Sequence, residues 1–206
     1  MQVDEKAYQE HPVFAQLLRY MRFYDRLAMS VFSFVTLGTK ALVNMDTYVY
    51  SSMQGTVESM RAVLLAGRIN DAYALLRKYH DSAVINVYSN LYLHDHVSIE
   101  NFIVEKINNW LQGKEPLPDY RIMSQYIKAS KALQPVNEVL SLDDRYKRLR
   151  DRCNDHTHYN FYHYAMLNDR AIHMGSRGKW LDRFSEDACD IFILHLGYLF
   201  FLNDHY

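Results

Sequence analysis

The chain has 206 residues, of which 49% are hydrophobic and 23% charged, so it can bury a full core and is not a disordered segment. Seven glycines and four prolines are too few for the many turns of a β-sandwich, which predicts long helices. Lys and Arg total 23 against 24 Asp and Glu, so no global field draws the protein to a polyanion, and any such site is a local patch.

The polar, acidic start MQVDEKAYQEHP does not read as a secretory signal, and two cysteines, Cys153 and Cys189, fit a reducing compartment. Both read as small core residues. Phe14, Leu17, Met21, Tyr24, Ala28, Val31 and Val35 step by three and four and predict one long helix stopped at Gly38. Val49, Met53, Val57, Met60 and Leu64 predict a second, ending at Gly67. Asn70 is expected to cap a third, striped by Ala72, Leu76, Tyr79, Ala83 and Val87. Ser98 is expected to open a fourth, with Ile99, Ile103, Ile107 and Leu111 inward.

The segment GKEPLPD (113–119) reads as an internal linker, because two close prolines cannot sit inside one helix. A short helix is expected around 120–132, and Pro135 restarts the chain. Val139, Leu142, Tyr146, Leu149 and Cys153 then suggest one further stripe, with Ser141 and Asp144 at capping-box spacing. After Asn154 the pattern gives way to a polar, irregular excursion expected over 154–180, including a GSRGK loop that lacks the spacing of a Walker loop. A last helix is expected from about Ser185. Its apolar run Ile191–Leu202 is twelve residues long and contains His195, short of the roughly 20 needed to cross a bilayer. The expectation is one all-α bundle of about six or seven helices, without membrane partners, forming a single domain over 1–206.

Between Arg145 and Arg152 five of eight residues are basic: Arg145, Lys147, Arg148, Arg150 and Arg152. A charge run is most often a solvated helix face, but a His/Asn/Asp cluster follows immediately. His156 and His158 suit acid–base chemistry near neutral pH. Arg152 suits a phosphate, which its fork can grip in two bonds. Asn154 and Asp155 suit orientation, or simply close the helix end by satisfying its free backbone groups. His156, His158, His163 and Asp155 also raise a metal reading, which needs an extended loop there. Arg77 and Asp81, four apart, suggest an ion pair.

The block RLRDRCNDHTHYN (148–160) resembles the signature of the HEPN superfamily, small helical domains of prokaryotic toxins and abortive-infection proteins. That signature is an arginine followed after four to six residues by a histidine, often with Asn or Asp between. Arg150 to His156 and Arg152 to His158 both match, although Cys153 stands where Asn or Asp commonly follows the arginine. The stretch 64–88, with Arg77 and Asp81, is similar to the paired helices that precede this motif.

The resemblance implies a metal-independent, cofactor-free endoribonuclease in a toxin or phage-defence system, working in the cytoplasm as a homodimer. An antitoxin or regulatory protein is the implied further partner. His158 or His156 would serve as acid/base and Arg152 or Arg150 would hold the scissile phosphate. Asn154 and Asp155 would orient, and Arg148, Arg145 and Arg77 would bind RNA. Six helical steps turn the chain by about 240°, so Arg152 and His158 converge only if the helix ends near Asn154 or across a dimer axis. The last helix, apolar on nearly every side, supports the dimer. Two other readings stand beside this one: a non-catalytic module of the same fold that binds nucleotide, RNA or protein, and a metal-dependent hydrolase.

Overall fold

Helices form where the steps of three and four run uninterrupted and end where a glycine or a turn breaks them. The computed structural model describes residues 1–34, 42–172, 175 and 177–203; Val35 and the expected stop at Gly38 lie outside them. The helices are α1 (Lys6–Gln9), α2 (Pro12–Phe34), α3 (Met45–Leu65), α4 (Ile69–His96), α5 (Glu105–Leu111), α6 (Tyr120–Ala129), α7 (Gln134–Leu140), α8 (Arg145–His158), α9 (Tyr162–Met166) and α10 (Arg177–Leu202), with a 3₁₀ turn at Leu42–Asn44. Among the described residues the structure is all-α, with only an isolated bridge between Ser98 and Asn101. Six helices have ten residues or more. The short ones explain why the total exceeds the expected six or seven.

The expected stripes are buried: Leu17, Tyr24 and Ala28 of α2, Met53, Val57 and Leu64 of α3, and Leu76, Tyr79 and Ala83 of α4. Each large aliphatic side chain taken fully from water contributes about 1.5–3 kcal/mol. Helix α4 is the central member. Fourteen of its 28 residues are buried, too many for one face, and it packs on α3, α6, α8 and α10. Helix α3 ends in a Schellman turn: the Gly67 and Arg68 amides donate to the Leu64 and Val63 carbonyls at 2.8 and 2.9 Å. Gly67 sits at φ +81°, and a Cβ there would meet Val3 Cγ2 at 2.6 Å, so both backbone and space require glycine.

A chain of hydrogen bonds threads the core. Tyr79 and Tyr24 hydroxyls lie 2.8 Å apart, Tyr24 Oη is 2.8 Å from His195 Nδ1, and His195 Nε2 is 2.8 Å from Asn86 Oδ1. Asn86 Nδ2 then donates to Asp46 Oδ1 at 2.8 Å, and Asn90 donates to the same oxygen at 2.9 Å. His195, conspicuous in the apolar run, is thereby satisfied inside the protein. No described helix is long and apolar enough to cross a membrane.

Several expectations are corrected. Helix α5 begins at Glu105, not Ser98; Ser98 and Asn101 instead close a turn that leaves Ile99 and Ile103 exposed. Val139 and Leu142 do not share a stripe with Leu149, because a turn at 141–144 separates α7 from α8, and both are exposed. Asn70 lies inside the first turn of α4, where its side chain reaches across to α8 and α9. The irregular excursion is shorter than 154–180: α8 continues to His158 and α10 starts at Arg177. Residues of the GSRGK loop therefore form the first turn of α10. Arg177 is fully buried there and donates to Gln2 Oε1 at 2.6 Å and to the Asp169 and Arg170 carbonyls at 2.7 and 3.2 Å.

Candidate functional site

Helix α8 carries the candidate residues, and its inward stripe of Leu149, Cys153 and His156 decides which of them face the core. Arg152 and His156 stand one turn apart on that side. Arg152 forms a two-point ion pair with Asp187 of α10, using Nε (3.0 Å) and Nη2. Asp187 is only 1% exposed. Tyr73 of α4 donates its hydroxyl to the same carboxylate at 3.2 Å. Burial opposes the Arg152 charge, and Asp187 outweighs it, so the guanidinium pKa rises.

The Tyr73 ring also stacks on His156, with centroids 3.8 Å apart and planes within 9°. Tyr164 and Trp180 close the other sides of the imidazole. Asn70 Nδ2 donates to the Tyr164 carbonyl, so its Oδ1 is the acceptor for the His156 Nδ1–H at 2.6 Å. This fixes the tautomer and leaves a lone pair on Nε2, which is buried without a partner. Burial, aided by His163 and Arg152 nearby, holds the His156 pKa down to about 3. So enclosed a ring packs among Tyr73, Tyr164 and Trp180 and is fully buried.

Arg150 points elsewhere. Its Nη1 donates to Asp81 at 2.6 Å while its guanidinium lies 3.3 Å over the Tyr120 ring. Arg77 Nε lies 4.0 Å from Asp81, so the expected pair exists but Arg150 is the closer partner. Arg145 pairs with Asp143 and with Asp190, and exposed Arg148 pairs with Asp144. Asn154 Oδ1 is buried without a partner, and Asp155 accepts from Asn160 Nδ2 at 2.7 Å. Cys153 is fully buried, and burial pushes its thiol up to about 12, as befits a core residue.

His158 is exposed, at the last position of α8. The helix neither ends nor kinks near Asn154, so both six-residue pairs, Arg150 with His156 and Arg152 with His158, diverge around one cylinder. What the structure brings together is Arg152 with His156, both against Tyr73. Among the described residues no three His, Cys, Asp or Glu side chains are placed to hold a metal ion.

Beyond α8 the chain reverses at Tyr159, which adopts φ 50°, ψ 40°. It then exposes Tyr159, Phe161 and Tyr162. A separate apolar groove between α3, α4 and α5, lined by Met45, Tyr48, Val49, Ile85, Trp110 and Leu111, contains none of the candidate residues. Sequence reasoning gave Asn70 only a capping role and missed Tyr73 and Asp187; these three groups hold His156 and Arg152. Comparison with protein-family models, curated proteins and solved structures returned no match.

Proposed function

We propose that this chain is a HEPN-type helical module that binds single-stranded RNA along the outer side of α8 without assembling a cleavage site within one chain. The observation that carries this reading is how α8 sorts its cations. Arg150 and Arg152 turn inward onto carboxylates, whereas Arg145, Lys147 and Arg148 remain exposed, Arg145 and Arg148 in surface ion pairs with Asp143 and Asp144. Outward cations contact phosphates without regard to sequence. A phosphate-gripping arginine already held in two bonds by a buried carboxylate, beside an enclosed histidine, does not serve a reacting phosphodiester.

A second reading is favoured by one observation, the exposure of His158 at the helix end. In a homodimer that residue would meet an arginine from the other copy, making a metal-independent endoribonuclease in which the RNA 2′-hydroxyl attacks its own phosphate. A toxin or phage-defence role, an antitoxin or regulatory partner and a cytoplasmic setting belong to this second reading. One experiment separates the two. End-labelled RNA incubated with the full chain in EDTA is retarded but intact under the first reading. It is cut to cyclic-phosphate or 3′-phosphate ends under the second, and His158→Ala abolishes that cutting.

A further inference from the structure

The three rings around His156 are not held alike. The imidazole is fully buried and its Nε2 has no partner, a state that contact with water would relieve. Tyr73 and Trp180 belong to the long helices α4 and α10. Tyr164, whose ring centroid lies 4.1 Å from that of His156, belongs instead to α9, which is five residues long.

The segment 159–168 around α9 is lightly anchored. Of its side chains only Tyr164 and Leu167 are buried. Two buried side chains do not by themselves offset the conformational entropy of so many ordered residues, so closure leans on hydrogen bonds to the start of α4. Asn70 donates to Tyr164 O, Ile69 N to Leu167 O at 3.3 Å, Arg68 Nη1 to Asn168 O at 2.6 Å, and Asn168 Nδ2 to Asp71 Oδ1 at 3.2 Å. The near end is Tyr159, the one non-glycine with positive φ among the described residues. A side chain keeps that conformation only where its surroundings impose it. Beyond the far end, buried Arg177 donates to the Asp169 and Arg170 carbonyls and fixes the chain there.

Lifting this segment changes His156 in two ways. It takes the Tyr164 ring off the imidazole, and it removes the carbonyl that orients the Asn70 amide. Asn70 is then free to rotate, so the Nδ1–H tautomer is no longer imposed and Nε2 gains access to water. The rest of the bundle is untouched. The Arg152–Asp187 pair and the packing of α4 against α8 and α10 do not involve the segment.

We infer that residues 159–168 form a gate over His156, shut in this structure, which opens without unfolding the bundle and turns a packed imidazole into a solvated one. The gate is independent of what the outer side of α8 binds. The test is acylation of neutral imidazoles by diethyl pyrocarbonate in the full chain at pH 7, with each modified histidine located by tandem mass spectrometry. His195 is the internal reference, since it is as fully buried as His156 but lies between Tyr24 and Asn86 in the core and reacts only when the bundle unfolds. Because local opening costs less than global unfolding, His156 reacts at least about tenfold faster than His195. Arg68→Ala and Asn168→Ala each remove a bond that holds the gate and raise the ratio of the two rates roughly 2- to 10-fold. Equal rates at the two histidines in wild type, or a ratio that neither variant raises, overturns the gate.

Discussion

Asn70 and His156, 86 residues apart in sequence, share a 2.6 Å hydrogen bond that determines what the histidine is. Because the Asn70 amide nitrogen is committed to the Tyr164 carbonyl, its oxygen faces the ring and Nδ1 carries the proton. Burial keeps the imidazole neutral, stacked on Tyr73 and closed off by Tyr164 and Trp180.

The two histidines of the motif therefore respond oppositely to truncation. His156→Ala removes a buried ring and leaves the Asn70 oxygen unpaired, a loss of about 3–5 kcal/mol. His158→Ala removes an exposed side chain and stays within about 0.5 kcal/mol of wild type. Urea unfolding monitored by circular dichroism distinguishes them by their midpoints.

Arg152 and Asp187 form a pair whose carboxylate is buried and whose guanidinium is 22% exposed. Arg152→Ala strands the buried carboxylate and costs about 3–5 kcal/mol, whereas Asp187→Ala leaves an arginine that reaches water and costs less. An apolar pair, Arg152→Met with Asp187→Leu, is less destabilising than either single alanine, which a double-mutant cycle in urea measures. Additive losses in the cycle contradict the pairing.

Three buried histidines make the protein sensitive to acid. Burial holds His156 and His195 down to about 3 and His80 down to about 4. The unfolded chain takes up protons near pH 6.5 and the folded one only at these lower values, so stability is full above pH 6.5 and falls as pH drops toward 4. Each histidine contributes a slope of about 1.4 kcal/mol per pH unit in that window. Denaturation midpoints at pH 7, 6 and 5 check the trend, and His195→Gln flattens it.

Gly67→Ala meets two obstacles, a backbone at φ +81° and the Val3 side chain at 2.6 Å. The expected cost is about 1–3 kcal/mol in a thermal or urea melt. Pairing it with Val3→Ala recovers the steric share and leaves the backbone share.

Most of the long helices were legible because their stripes are local: Leu17, Tyr24 and Ala28 lie on one face whatever packs against them. Ile99 and Ile103 misled because a spacing of four also arises in a turn, here closed by Ser98 and Asn101. The basic run on α8 was visible, but its division into inward and outward cations was not. That division depends on Asp81 and Asp187, 69 and 35 residues from Arg150 and Arg152. No local pattern encodes such partners. The rings after His158 were read only as part of a polar, irregular excursion, because their exposure is set by a chain reversal at Tyr159 that no local pattern encodes.

RNA binding without cleavage by one chain is read out by a filter-binding titration of single-stranded RNA across a salt series in EDTA. With Arg145, Lys147 and Arg148 as the outward cations, about three phosphate contacts give a slope near −2 in log affinity against log salt. The RNA is recovered at full length. Salt-independent retention, no retention at low salt, or recovery of RNA with cyclic-phosphate ends contradicts it.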